Sequence, residues 1–301
     1  MFFRALLLTL GVFACATAVI MIKAGTVAPV PLAGYRLLVA AAVLAPLFAR
    51  DLKRHRNRYT RRHLLRTLLP AVLLATHFIS WIFAARLTLA ANANLVVNLV
   101  PVVMPFLLYL LVRERLTRGE LVGTMVAMLG VTFLAGGDYH ISREYFLGDV
   151  VAFGSMILFA GYLALGRRNR DFPTIWLYVV PVYLFGGLLC VAAAVVSRRD
   201  MSVPSDWDWL MVAGLGVVPT VVGHSILNYS MKHIRGQAVS VANLGEFIFA
   251  GIMAAAWLGE RPGWNFYIAC VLTVGGAVWA LKAQPRPGAA KPEQLLEGDA
   301  T

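Results

Sequence analysis

The side chains able to do chemistry are few, and they lie where charge and polarity are costly. Glu246 interrupts an apolar run with about 9 to 10 residues on either side, which at about 1.5 Å per helical residue puts it near the centre of a bilayer. A carboxylate at that depth must be paired, hydrated or protonated, and the last state makes Glu246 a candidate proton carrier. At about 100° per residue Ser240, Asn243, Glu246, Phe247 and Ala250 share one helix face. Such a stripe lines a cavity or bonds a neighbouring helix. Asn94, Asn98, Pro101 and Pro105 form a second wedge, in which amides donate and accept while prolines free carbonyls one turn earlier. It reads equally as a cavity wall or as a helix contact with a kink.

Two histidines share this depth: His77, with Trp81 four residues later on the same face, and His224, with Asn228 at the same spacing. Each is a structural histidine or a proton relay. No HExxH and no clustered Cys/His spacing occurs, so neither a metal nor a cofactor is expected. Cys15, Cys190 and Cys270 fall in apolar runs and read as buried thiols rather than a disulfide framework. Arg36 lies about one turn inside a span; it can bind an anion, but an arginine this shallow is expected to snorkel outward. Lys23, Arg86 and Lys232 at helix ends read as interface anchors, and Tyr162 and Trp176 as cavity aromatics or belt residues.

These residues need elements that can hold them in lipid. The chain has 301 residues, 59% apolar and 14% charged, against about 25% charged in a soluble domain. Uncharged windows run over 5–22, 67–85, 87–112, 121–137, 150–166, 172–197, 209–231 and 262–281, and two more are interrupted by Arg36 and Glu246 alone. With about 20 apolar residues per span, the expectation is ten transmembrane helices. Strand-like alternation is missing, so this is an all-α membrane protein rather than a barrel. Short polar breaks make consecutive helices antiparallel, and Thr117 with Glu120 three residues on predicts a capping box at the fifth helix. Small-residue runs such as Gly275-Gly276-Ala277 and Gly186-Gly187 permit close helix contact within the chain or across a dimer, so monomer and homodimer both stay open.

The formal charge of +12 suggests nucleic acid only until its placement is read. With the amino terminus inside, about 20 of the 27 Lys and Arg residues fall on the cytoplasmic side, led by the cluster from Arg50 to Arg66. The charge therefore reports topology: both termini cytoplasmic, in the cell's inner membrane, with lipid and no nucleic acid as partner. Arg4, a leucine-rich run and Ala14-Cys15-Ala16 imitate a cleavable leader, yet the apolar run continues to Ile22, so a first span is expected.

The halves repeat at an offset of about 146 residues: Glu114-Arg115 falls on Glu260-Arg261, Gly130 on Gly276 and Arg86 on Lys232. Five helices per half is an odd number, so the second copy enters the membrane upside down. Inverted repeats supply two related conformations open to opposite sides, with substrate near the midplane. The expected units are 1–137, 148–283 and a disordered cytoplasmic tail, 284–301, whose prolines and charges leave no apolar face.

The string TLAANANLVVNLVPVVMPFLLYLLVRERLTRGELVGTMVAMLGV resembles the drug/metabolite transporter superfamily, specifically its EamA-like members. SVANLGEFIFAGIMAAAWLGER followed by VLTVGGAVWAL resembles the second copy, and YRLLVAAAVLAP the family's second helix. The resemblance implies two inverted five-helix repeats around a cavity lined by the first, third, fourth, sixth, eighth and ninth helices. Here that implicates His77, Trp81, Asn94, Asn98, Tyr162, His224, Asn228, Asn243 and Glu246. Many relatives carry a proline after the residue matching Glu246; Phe247 stands there instead, which puts a kink at that point in doubt. Glu114 and Glu260 match the family's hinge positions, at membrane edges where bonding to helix-start donors accounts for them. The leading expectation is a secondary transporter of a small amphiphilic metabolite, an amino acid or related compound, exported by alternating access. The rival is an intramembrane enzyme with Glu246 and a histidine as acid and base.

Overall fold

The computed structural model describes residues 2–88, 90–138, 145–258 and 263–283, and all regular structure among them is helical. Glu260 and the tail 284–301 lie outside the described residues. The helices are α1 (Phe2–Ala24), α2 (Pro29–Arg54), α3 (Arg61–Leu65), α4 (Leu68–Leu87), α5 (Ala90–Val97), α6 (Val100–Val112), α7 (Arg118–Asp138), α8 (Phe146–Arg168) and α9 (Trp176–Val196). Then come α10 (Asp206–Leu215), a π-helical segment (Gly216–His224), α11 (Ser225–His233), α12 (Gly236–Asn243), α13 (Glu246–Leu258) and α14 (Trp264–Lys282). Among the described residues nine segments are long and apolar enough to cross a membrane, counting α5–α6, α10–α11 and α12–α13 each as one interrupted span. The 21-residue α7 packs along α14 beside them.

Hydrogen bonds sort the connections onto two faces. On one, Arg66 forks onto Asp171 at 2.7 Å through both terminal nitrogens, Arg167 pairs with Glu114 at 2.8 Å, and Arg235 pairs with Glu120. The Arg66 fork holds the Asp171 carboxyl below the usual carboxylate range. Arg50, Lys53, Arg54, Arg113, Arg115 and Arg118 cluster at the same helix ends, so we call this the basic face. On the other, Asp208 accepts from the Thr26 backbone at 2.6 Å, Trp207 donates to Ala24 O at 2.9 Å and Tyr35 donates to Met201 O at 2.6 Å.

The 146-residue offset recurs in hydrogen bonds. Arg86 at the end of α4 donates to Gly25 O, just past α1, while Lys232 at the end of α11 donates to Phe172 O, past α8, on the opposite face. Each of these cations, half-buried at a helix end, thus binds a backbone carbonyl. The span α5–α6 is interrupted by two short-range bonds, Leu99 N to Val96 O and Val102 N to Leu99 O. Gly245 N to Ala242 O and Ile248 N to Gly245 O interrupt α12–α13 in the same way. Both spans are broken outright, including the one in which Phe247 stands in place of a proline and puts a kink in doubt. Pro101 lacks the N–H that would have continued α5, whereas α13 restarts at Glu246 with no proline following.

The predicted capping box is present: Thr117 N donates to Glu120 Oε2 at 2.9 Å and Glu120 N to Thr117 Oγ1 at 3.1 Å. Small residues are spent within the chain, for α7 and α14 approach so closely that a Cβ on Gly123 would stand 2.6 Å from Gly276 O and 2.8 Å from Ala280 N. Gly187 is packed against Leu38 of α2 in the same manner. We expect Gly123→Ala to destabilise the fold by about 1–3 kcal/mol through overpacking. Thermal unfolding in detergent measures this, and an unchanged midpoint would show that the helix pair is looser than described.

Candidate functional site

Both helix breaks face one small cavity of about 30 Å³ between the two halves of the chain. The first half contributes Cys15 and Ala18 from α1, Arg36 from α2, His77, Phe78 and Trp81 from α4, and Val97 and Asn98 at the α5 break. Phe159 of α8, His224 of the π segment and Glu246 of α13 close it from the second half.

Across the breaks Asn243 Nδ2 donates to Asn98 Oδ1 at 3.0 Å, and Asn98 Nδ2 donates back to Asn94 O at 2.8 Å. The Glu246 carboxylate faces the Asn243 and Asn98 amides, and among the described residues no cation pairs with it. It is the first residue of α13, where unpaired N–H groups and the helix dipole favour negative charge. The expected polar stripe is therefore not continuous: Ser240 and Asn243 belong to α12, Glu246 to α13. Ser240 donates to Gln237 O, and Phe247 meets the Phe266 ring instead of the cavity.

His77 Nδ1 sits 2.8 Å from Ser155 Oγ and 3.0 Å from Ser155 O, and its ring stacks on Phe159 with centroids 4.7 Å apart. His224 meets the Phe78 ring edge-to-face at 4.9 Å, and its buried Nδ1 has no hydrogen-bond partner among the described residues. Asn228, Tyr162, Asn94 and Asn243 stand outside the lining. Asn228 Nδ2 is shared between Tyr162 OH and His224 O, so this pair supports His224 from behind. Asn94 contributes its carbonyl to Asn98, and Trp176 borders a separate hollow on the basic face with Arg50, Arg54 and Lys232.

Arg36 was expected to snorkel; instead it is 1% exposed and lines the cavity. Its Nε and Nη2 donate to Thr220 Oγ1 at 3.1 and 3.0 Å, and its guanidinium lies 3.8 Å from the Phe78 ring centre. Depth along the helix alone does not decide exposure. The available signal was periodicity, because Leu32, Arg36, Ala40 and Leu44 recur every four residues on the buried side of α2. Thr220 was also overlooked; it bonds Leu215 O, five residues back, in the wide turns of the π segment.

On the basic face Glu114 bridges the halves, accepting from Gly236 N at the start of α12 (3.1 Å) while its other oxygen pairs with Arg167. Arg113, left-handed at φ 55, turns the chain out of α6 just before it.

The sequence profile of the EamA-like transporter family matches residues 3–136 and again 146–282. The chain belongs to the EamA-like transporter family. An uncharacterized transporter of Bacillus subtilis, YdfC, is 26% identical over 195 residues, 62% of this chain and 61% of the relative. An uncharacterized transporter of Archaeoglobus fulgidus is 28% identical over 182 residues, 60% of this chain and 63% of the relative. The match thus spans about three-fifths of the length of each of these curated relatives. A solved crystal structure shares the fold with a TM-score of 0.75 at 22% identity, covering 92% of this chain and 96% of its own.

For this EamA-like chain, Asn98→Ala should raise the half-saturating solute concentration about 3- to 10-fold, the range expected for one lost hydrogen bond, while abundance in the membrane stays unchanged. Concentration-dependent uptake alongside size-exclusion chromatography measures both. Lost abundance with unaltered affinity would make Asn98 a structural strut.

Proposed function

We propose that the protein is a secondary transporter that moves a small amphiphilic metabolite, an amino acid or related compound, by alternating access. The observation that carries this reading is the cavity at the meeting point of two broken helices. Unwound backbone and half-helix starts at the midplane are how carriers present polar groups to a solute in lipid. One amide, two imidazoles, a carboxylate and a guanidinium alternate there with Phe78, Trp81, Val97 and Phe159, which suits a solute with polar and apolar parts.

Residues 1–137 and 148–283 act in this reading as two inverted repeats. The matched breaks and the Arg86 and Lys232 bonds on opposite faces support it. The basic face is assigned to the cytoplasm of the inner membrane by its excess of Lys and Arg, which puts both termini inside. The ion pairs of Glu114, Arg167, Glu120 and Arg235 then hold the cytoplasmic ends together, and they must part for the site to open inward. Transport runs outward, a direction taken from the family resemblance. Glu246 is assigned as the group that exchanges a proton with the solute.

Reconstituted liposomes test this with Glu246→Gln. Insertion should be preserved, and flux should fall at least about tenfold or lose its dependence between about pH 5 and 8. Unchanged flux across that range would return Glu246 to a structural role. Chemical turnover of a solute in detergent, with no sealed vesicle, would overturn the carrier reading itself.

A further inference from the structure

Arg36 presents an unsolved pairing problem. Its guanidinium carries five N–H donors and is charged at any physiological pH. The fold supplies one neutral acceptor, Thr220 Oγ1, on which Nε and Nη2 both converge. Thr220 is itself committed, since its hydroxyl proton goes to Leu215 O at 2.7 Å. Nη1 is buried and, among the described residues, has no hydrogen-bond partner. Among the described residues no carboxylate forms an ion pair with Arg36, although Glu246 lines the same cavity. A buried charge left this way needs an acceptor from outside the chain.

The group is also held in place. Phe78 covers one face of the guanidinium at 3.8 Å, and Thr220 grips one edge. A planar fork fixed by stacking and one clamp matches a carboxylate in two parallel bonds, which a lysine ammonium would not. Glu246 disfavours a multiply charged anion in so small a cavity. We propose that Arg36, clamped by Thr220 and Phe78, is the carboxylate subsite of the central cavity, so that the solute is a monocarboxylate, either a simple acid or a zwitterion. The inference rests on the carrier reading for its physiological meaning, but its binding test stands apart from flux.

The test uses the full-length protein in detergent with matched probes: L-leucine and L-leucinamide, L-phenylalanine and L-phenylalaninamide, and isovalerate, each up to about 10 mM. Thermal stabilisation by at least one acid, with its amide at least about tenfold weaker, is the expected result. Isovalerate separates a simple acid from a zwitterion. Thr220→Val, nearly isosteric, should weaken the acid about tenfold, and Arg36→Gln should level acid and amide. A purely structural Arg36 would lower the unfolding midpoint yet leave that discrimination in place. Equal binding of acid and amide to the unaltered protein, discrimination that survives Thr220→Val and Arg36→Gln, or no stabilisation by any acid overturns the proposal. Discrimination in detergent without flux in liposomes would leave the subsite standing and remove the carrier reading.

Discussion

A broken helix in lipid must find partners for its freed backbone groups inside the protein, because the hydrocarbon offers none. This chain breaks two spans, after Val97 and after Asn243, and turns the breaks toward one another. The Asn243 to Asn98 hydrogen bond ties the two halves at that point, and Asn98 reaches back to the Asn94 carbonyl. The rest of the site follows from this constraint. Breaking α12–α13 makes Glu246 a helix-start residue, and breaking α5–α6 leaves Val97 and Asn98 on the cavity wall.

Charge is then distributed by depth. At the basic face carboxylates and guanidinium groups neutralise one another across the halves, with Glu114 and Glu120 against Arg167 and Arg235. In the middle Arg36 and Glu246 share a cavity without pairing, each held by neutral groups, Thr220 for the one and the two asparagines for the other. At the opposite face one acid, Asp208, collects backbone and hydroxyl donors from Thr26 while Trp207 and Tyr35 bond to carbonyls. The outer contacts lock loops; in the centre, among the described residues, Arg36 Nη1 keeps a donor without a partner.

Much of this was legible in the amino-acid string where the signal is local or repeated. Apolar windows gave the spans, and Thr117 with Glu120 gave the start of α7, because a capping box depends on four residues and little else. His77, Trp81, Asn98, His224 and Glu246 were singled out as intramembrane polar groups and share one cavity. The helix breaks were not legible: Asn98 and Gly245 each sit inside an apolar run that satisfies a helix pattern, and only Pro101 hinted at an interruption. The burial of Arg36 is not legible from depth along one helix, because exposure is decided by the neighbour packed on it, here the π segment carrying Thr220. The bond between Asn228 and Tyr162 has no local signal, since it depends on the register between α8 and α11.

In the proposed carrier, two half-chains enclose a hydrated pocket within the membrane that water reaches from either side in turn. Cys15 lines that pocket, so a protein with Cys190 and Cys270 replaced by alanine carries a native reporter there. Its modification by a charged, membrane-impermeant thiosulfonate, in vesicles of each orientation, is the most direct measurement. The account predicts slow labelling from both faces, slowed further by a bound solute. Labelling solely by a lipid-soluble maleimide, with both faces silent to the charged reagent, would contradict it.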